Sequence, residues 1–316
     1  MRTLALLLGA ALLCGCGAAG PDERAADPST PTASGADEKS SPADADSTEP
    51  GNPLVSAAER EARKLGQAQE LSPRDGLVLG ADISYPNCPK GIGIPQRETK
   101  GLPKPLPDAE FVVIGLTNGP AYFPNPCLAD QVAWAKQRKM MVAAYSVLSF
   151  PDDRQLRAYG AAGPYDGSAR LGRLRNAGYA QALFNMSSLQ SAGLETPVIW
   201  LDIEPVSGWE WTRDTGANFA VIQGAMKGYR EAGFRLGLYS VPRYWDSIAG
   251  GRTLGLPEWR SAGETSRARA VSRCRDPEAS LQGGPAILAQ WWDAERDHDV
   301  TCPGVAASLS EWFHQY

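Results

Sequence analysis

The feature that most constrains this chain is a series of short, mostly apolar segments that alternate with segments of helical periodicity, from about residue 77 to residue 300. The apolar segments predict eight strands, at 77–84, 111–116, 140–146, 197–203, 235–240, 258–262, 286–291 and 297–300. The intervening periodicity predicts helices at 127–138, 169–192 and 216–232. Apolar strands that alternate with helices are typical of parallel strands buried on both faces.

About eight such strands in roughly 240 residues favour one large α/β domain, which we place at residues 71–316, over two small ones. A closed (β/α)-barrel of the TIM-barrel type is the natural architecture for this pattern. An open doubly wound sheet is the alternative. It is less well supported, because no Gly-x-Gly-x-x-Gly follows the first strand and the chain has no phosphate loop.

The N-terminal segment predicts export. Arg2 precedes an apolar stretch at 4–13 that is too short to span a membrane, as in a secretory signal peptide covering residues 1–15. The stretch ends in Leu-Cys-Gly-Cys, which resembles the processing site of a bacterial lipoprotein and makes Cys16 the lipidated first residue. The alternative is an ordinary signal peptide with a cysteine there by chance.

Residues 16–70 predict a tether. They consist largely of Ala, Asp, Pro, Ser, Thr, Glu and Gly, a composition that buries too little apolar surface to offset the entropy of ordering. Only 54–70 has the pattern of a short lead-in helix. We therefore expect a disordered, acidic linker between a lipid anchor on the outer face of the cell membrane and the folded domain.

Composition excludes several classes of function. A net charge of −5 and a pI near 5.3 leave no basic patch for nucleic acid. The chain has only two histidines, His298 and His314, which disfavours a His-rich metal site and a Ser-His-Asp triad. We expect no metal, no cofactor and a monomer.

Four cysteines follow Cys16, and an even number outside the cytoplasm predicts two disulfides. No Cys-x-x-Cys pair is present, which argues against a zinc site. Three pairings are possible. We favour Cys88–Cys127 with Cys274–Cys302.

The candidate site follows from the fold, because α/β-barrels carry their functional side chains at the carboxyl ends of the strands. Acidic, amide and aromatic residues occupy these positions: Asp82, Asp202, Glu204, Tyr239, Gln290, Trp291, Asp297 and Asp299.

Asp202 and Glu204 form the most informative pair. Residues two apart on a strand point to the same side, so both carboxyl groups would face one cleft. Two close carboxylates in a buried setting raise the pKa of one of them, which then suits it to protonate a glycosidic oxygen. The alternative is that Asp202 caps a helix or binds a loop and Glu204 is solvated.

Aromatic residues surround these acids in sequence. Flat rings can stack on the apolar faces of sugars, and we assign this role to Tyr239, Trp209, Trp211 and Trp291. Gln290 and Asp299 are further candidates for substrate binding. We expect Trp200 to belong to the core.

Five short motifs, in order, resemble the glycoside hydrolase family 25 lysozymes. Gly-Ala-Asp-Ile-Ser at 80–84 looks like their Gly-x-Asp-(Val/Ile)-Ser opening, and Asp-Ile-Glu at 202–204 looks like their Asp-x-Glu signature. Gly-Leu-Tyr-Ser at 237–240 is similar to the sequence of their fifth strand. Gln-Trp at 290–291 occupies the position of their Trp-Gln-Tyr motif, and Asp-His-Asp at 297–299 occupies the position of their Asp-x-Asn motif. The resemblance spans nearly the whole predicted domain.

The resemblance implies a barrel and a muramidase, which cleaves the β-1,4 link between N-acetylmuramic acid and N-acetylglucosamine in cell-wall glycan. It implies that Glu204 is the general acid and that Asp202 orients the substrate's N-acetyl group or the water. It also implies that Asp82 and Asp297 support Glu204 and Asp202 electrostatically. Retaining, inverting and substrate-assisted routes all remain open.

Several features depart from this pattern. The family's final Asn is Asp299, the seventh strand reads Ala-Gln-Trp-Trp, and the loops carry extra cysteines. The segment Asn-Pro-Cys-Leu-Ala at 125–129 is similar to a segment of secreted family-25-like domains of high-GC bacteria.

Because of these departures, a catalytically inactive barrel that binds glycan or a partner is an alternative function. A transporter-associated solute-binding lipoprotein is a third.

Overall fold

The computed structural model describes residues 71–316. The predicted signal peptide, the lipid-anchor residue Cys16 and the predicted tether with its lead-in helix lie outside the described residues. Within residues 71–316, no helix combines the length and apolarity needed to cross a membrane.

The strands in chain order are β1 (Leu79–Ile83), β2 (Gly93–Ile94), β3 (Arg97–Glu98), β4 (Phe111–Gly115), β5 (Met141–Val147), β6 (Val198–Asp202), β7 (Arg235–Ser240), β8 (Glu258–Glu264), β9 (Ala286–Trp292), β10 (Asp297–Thr301) and β11 (His314–Gln315). Eight of them form a barrel in the order β5-β4-β1-β10-β9-β8-β7-β6, closed by pairing between β5 and β6. The predicted α/β-barrel and its eight strands are confirmed.

One strand orientation differs from the prediction of parallel strands. β10 runs antiparallel to both of its neighbours, β9 and β1, whereas the other neighbouring pairs in the barrel are parallel. Only residues 293–296 connect β9 to β10. A parallel return needs a crossover of a dozen or more residues, so this link permits only a hairpin.

The helices are α1 (Leu128–Gln137), α2 (Asp153–Tyr159), α3 (Arg170–Ser191), α4 (Thr215–Glu231), α5 (Pro242–Ala249) and α6 (Arg267–Arg273). The three predicted helices correspond to α1, α3 and α4. The others were not predicted, although α2 begins with a capping box in which Asp152 and Gln155 exchange hydrogen bonds.

Large aromatic side chains fill the barrel interior, and glycines on neighbouring strands make room for them. A Cβ on Gly237 would lie 2.2 Å from the Trp200 ring, and one on Gly80 would lie 2.3 Å from the Phe111 ring. Trp200 is fully buried, which confirms the expectation that it belongs to the core. It lies two residues before Asp202 on the same face of β6, and so forms part of the layer beneath the site.

The two predicted disulfides are confirmed. Cys88 bonds to Cys127 and Cys274 bonds to Cys302. The first joins the segment after β1 to the start of α1, and the second joins the end of α6 to the end of β10.

Candidate active site

A cleft of about 380 Å³ opens at the carboxyl ends of the parallel barrel strands, the same end of the barrel at which the antiparallel strand β10 begins. Four carboxylate side chains line it: Asp82, Asp202, Glu204 and Asp297. The structure therefore brings together, in one cleft, the four acids to which the sequence assigned catalytic roles.

The end of β6 places Asp202 and Glu204 on the same wall. Asp202 is the last residue of the strand and is 4% exposed, and Glu204 is half-buried. Between them, the Ile203 amide donates to the Tyr239 carbonyl over 3.0 Å, and the Ser240 hydroxyl donates to the Ile203 carbonyl over 2.6 Å. These bonds keep the backbone extended past the strand end, so both carboxyl groups face the cleft.

The surroundings of this pair favour its protonated forms. Burial, together with the Glu204 carboxylate, holds the pKa of Asp202 well above its usual value. Burial also raises the pKa of Glu204, with the charge of Arg97 opposing that rise and the charge of Asp297 adding to it. Carboxyl groups whose pKa is raised in this way can retain a transferable proton at a pH where an exposed carboxyl group is ionised.

Asp82 ends a hydrogen-bonded chain of side chains. Gln290 donates from Nε2 to Oδ2 of Asp82 over 2.8 Å, and the Tyr239 hydroxyl donates to Oε1 of Gln290 over 2.7 Å. Burial raises the pKa of Asp82 well above its usual value, the nearby acids add to this, and the bond from Gln290 lowers it. Tyr239 and Gln290 both line the cleft.

The two acids of β10 lie at different depths. Asp297 lines the cleft, whereas Asp299 is fully buried and does not line it. Oδ1 of Asp299 accepts a hydrogen bond of 2.7 Å from the Trp259 indole nitrogen. Asp299 therefore lies beneath the floor of the cleft, and the direct substrate contact predicted for it is not supported by its position.

The strand β9 places Trp292, rather than Trp291, in the cleft. Trp291 stacks on His298, its partner across the β9–β10 pair, with ring centroids 5.1 Å apart. Successive residues of a strand point to opposite faces, so Gln290 and Trp292 share the cleft side and Trp291 does not. The same rule, applied to the sequence, would have selected Trp292.

The loop after β6 uses its two tryptophans differently. The Trp211 indole nitrogen donates to the Glu204 carbonyl over 3.1 Å, and its ring packs edge-on against Phe150. Trp211 therefore supports the backbone at Glu204 and does not line the cleft. Trp209 lines a neighbouring groove, with the Phe123 ring 5.9 Å away.

Other residues of the cleft were not predicted as site residues. Tyr145 of β5 and Trp259 of β8 line its base, with Trp259 4.6 Å from the Tyr239 ring and 5.9 Å from the Tyr145 ring. Their inward positions on predicted strands were a usable signal. Arg97 also lines the cleft, and no sequence pattern indicated it.

Within residues 71–316, no group of three or more His, Cys, Asp or Glu side chains is arranged to hold a metal ion.

Comparison with known proteins adds a sequence match in the central part of the barrel. A protein-family model described as "Lysozyme-like protein 1" matches residues 172–259, which include Asp202 and Glu204. A curated relative, "Probable GH family 25 lysozyme 4" of Dictyostelium discoideum, is 36% identical over 64 residues, covering 20% of this chain and 29% of the relative. The chain thus spans under a third of that relative's length.

Solved structures with partial likeness include a family GH25 lysozyme from Aspergillus fumigatus, 14% identical over 75% of this chain and 99% of that one, with a TM-score of 0.48. A bacterial lysozyme from Streptomyces coelicolor is 16% identical over 74% of this chain and 96% of that one, with a TM-score of 0.47. The two sequence matches confirm that the domain resembles the family 25 lysozymes.

Proposed function

We propose that this protein is a glycoside hydrolase that cleaves peptidoglycan-type glycan as a muramidase. The observation that carries the proposal is the placement of Asp202 and Glu204 on one wall of the cleft, where burial raises the pKa of both carboxyl groups. The family-model match to a lysozyme-like protein covers this same part of the chain, and the curated relative also supports the proposal.

Glu204 is the proton donor. It transfers its proton to the glycosidic oxygen as the bond from that oxygen to the anomeric carbon breaks, and the leaving sugar departs with a free hydroxyl. Water then supplies a hydroxyl group to the anomeric carbon, and its remaining proton returns to a carboxylate of the cleft. The raised pKa leaves a fraction of Glu204 protonated at the pH where this step is needed.

Asp202 is the orienting carboxylate. Its Oδ1 is buried and has no hydrogen-bond partner among the described residues. A buried acceptor without a partner is unfavourable, so a donor from the substrate would stabilise it. The N–H of an N-acetyl group, or the attacking water, would fill this role.

Asp82 and Asp297 act through their charge. Positive charge develops on the sugar ring in the transition state, and the ionised form of these carboxyl groups, which the bond from Gln290 favours at Asp82, stabilises it. The chain from Tyr239 through Gln290 to Asp82 holds this carboxyl group in one orientation.

The bond that is cleaved can be identified from the products. Purified peptidoglycan treated with residues 71–316 is reduced with borohydride, and the fragments are analysed by mass spectrometry. A muramidase leaves reduced N-acetylmuramic acid at the new ends. Reduced N-acetylglucosamine would instead identify a glucosaminidase, and co-sedimentation with intact glycan without any new ends would identify a glycan-binding barrel.

We also propose that Cys16 carries a lipid anchor that keeps the domain at the extracytoplasmic face of the cell membrane. The Leu-Cys-Gly-Cys segment after a short apolar stretch supports this proposal. Metabolic labelling with a radioactive fatty acid should mark the full chain and fail to mark a Cys16→Ala variant. Equal labelling of both would rule out Cys16 as the acylated residue.

A further inference from the structure

The catalytic cleft continues into a second groove. The groove has a volume of about 710 Å³ and shares Tyr85 and Arg97 with the cleft as lining residues. Trp209 and Lys100 also line this groove. A ligand longer than the cleft can therefore extend past Arg97 into the groove.

A small hairpin holds Arg97 at this junction. Its strands β2 and β3 pair Ile94 with Arg97. The buried Asn118 side chain binds both, because its Oδ1 accepts from the Ile94 amide over 3.0 Å and its Nδ2 donates to the Arg97 carbonyl over 2.9 Å. Gly119 leaves space for the arginine stem, since a Cβ there would lie 3.2 Å from it.

Arg97 differs in charge from everything else that lines the cleft. The other charged residues there are four acids, and Arg97 is the one basic side chain among the described lining residues. Arg97 donates from Nη1 to the Tyr85 hydroxyl over 3.2 Å. Within residues 71–316, no carboxylate lies within ion-pair distance of it.

This arrangement has a consequence for the ligand. Away from Arg97, an anionic substituent in the cleft would meet four acids and no basic side chain among the described lining residues, and the groove carries Glu98 and Asp152 as well as Lys100. Only at Arg97 does an anion meet a positioned donor that can form two parallel hydrogen bonds to a carboxylate. The Trp209 ring, which lines the same groove as Arg97, offers a flat surface for a sugar.

We propose that Arg97 binds a carboxylate carried by a substituent on the glycan, with the sugar that bears it seated between Arg97 and Trp209. This inference rests on the proposed function and narrows its substrate class. The preferred glycan contains an N-acetylated sugar with a free carboxylate on an ether side chain, as in muramic acid without its peptide. A neutral N-acetylglucosamine polymer lacks the group that Arg97 recognises.

The test measures binding without cleavage. Residues 71–316 carrying Glu204→Gln are titrated with two tetrasaccharides, one of alternating N-acetylglucosamine and N-acetylmuramic acid with free carboxylates, and one of N-acetylglucosamine alone. Arg97→Met and Arg97→Lys are added to this background. The control is Lys90→Met, which removes a positive charge that lines neither the cleft nor the groove. The Glu204→Gln background removes the charge of Glu204, so any effect of Arg97 through that carboxylate is excluded.

The expected result is that the anionic tetrasaccharide binds about tenfold more tightly than the neutral one, because charge-assisted hydrogen bonds outweigh neutral ones. Arg97→Met should abolish this preference while leaving the affinity for the neutral ligand within about twofold. Arg97→Lys should retain part of the preference for the anionic tetrasaccharide, and Lys90→Met should retain all of that preference.

Equal affinity for the two ligands, or an equal loss of both in Arg97→Met, would overturn the inference. Its failure is distinguishable from failure of the proposed function. Cleavage of peptidoglycan by the wild-type domain without a charge preference would retain the hydrolase and reject the role of Arg97. A charge preference without cleavage would retain the role of Arg97 and reject the hydrolase. If neither cleavage nor a charge preference is found, both the hydrolase and the role of Arg97 are rejected.

Discussion

Gln290 donates a hydrogen bond of 2.8 Å to Asp82, and so ties the next-to-last strand of the barrel to the first. The bond is buried, and it favours the charged form of Asp82 against the burial that raises its pKa. Replacement of Gln290 by Met should therefore raise the pKa of Asp82 further, as measured by carbon NMR of its carboxyl group. We also expect turnover to fall by about tenfold or more, because a misplaced charge weakens transition-state stabilisation.

The matched control is Gln181→Met. Gln181 is also buried, but it does not line the cleft. Its side-chain amide donates a hydrogen bond of 2.8 Å to the Ser149 carbonyl. Each variant should lower the free energy of unfolding by about 1–3 kcal/mol, the usual effect of leaving a buried polar partner unsatisfied. Only Gln290→Met should slow turnover. Equal slowing in both would mean that loss of stability, rather than Asp82, is the cause.

The stability of the domain should fall as the pH rises from about 4 toward 8. Burial raises the pKa of all four cleft acids and of Asp299, so the folded chain binds more protons in this range than the unfolded chain. The free energy of unfolding, measured with urea, should be about 1 kcal/mol or more higher at about pH 5.5 than at about pH 7.5. Below about pH 4 the trend should reverse, because Asp293 has its pKa lowered to about 2 by the bond to His298.

Asp202→Asn identifies the source of this slope. The variant removes one group with a raised pKa, so its stability should depend less steeply on pH than that of the wild type. His314 has its pKa lowered by burial and acts in the opposite sense near pH 6, but it is present in both proteins and cancels in the comparison. Identical slopes in the two proteins would contradict a raised pKa at Asp202.

Gly237→Ala should destabilise the barrel. The new methyl group would lie 2.2 Å from the Trp200 ring in the filled interior, and overpacking of this kind typically reduces stability by about 1–3 kcal/mol or more. Gly216→Ala, in the first turn of α4, meets only an Asp214 oxygen at 3.2 Å and should be neutral or slightly stabilising. Thermal unfolding of both variants measures the difference, and equal midpoints would contradict the packing described here.

The two disulfides should contribute similarly to stability and differently to binding. They close loops of comparable length, with sequence separations of 39 and 28, so loss of either should lower the free energy of unfolding by about 4 kcal/mol. Cys88 lies shortly before the hairpin that carries Arg97. The paired Cys88→Ser and Cys127→Ser change should therefore also weaken binding of the anionic tetrasaccharide, and the Cys274→Ser and Cys302→Ser pair should not.

The barrel could be predicted from the sequence because strands buried on both faces must be apolar. They are therefore recognisable as short apolar segments between the helices. The sequence also predicted the four acids of the cleft, since a barrel concentrates functional groups at its strand ends. The orientation of β10 does not follow from the alternation of strands and helices, because no helix lies between β9 and β10. The place of Trp292 in the cleft does follow from the sequence, because alternation along β9 puts it on the same side as Gln290 and puts Trp291 on the other.

Arg97 could not be found from the sequence. Its hairpin has strands of two residues, too short to show any periodicity, and its position depends on Asn118, which lies 21 residues further along the chain. Contacts of this kind are set by tertiary packing. The depth of Asp299 beneath the cleft could not be inferred from the sequence either. Alternation along a strand gives the side on which a residue lies but not its distance from the surface.

The most direct test of the central claim is the rate at which residues 71–316 release reducing sugar ends from purified peptidoglycan, compared with Glu204→Gln. The control is Glu210→Gln, which changes an exposed glutamate on the same loop. We predict release by the wild type and the control, and a rate about 10²–10⁴ lower for Glu204→Gln, the usual effect of removing a general acid. Equal release by Glu204→Gln, or no release by a folded and oxidised wild-type domain, would contradict the account.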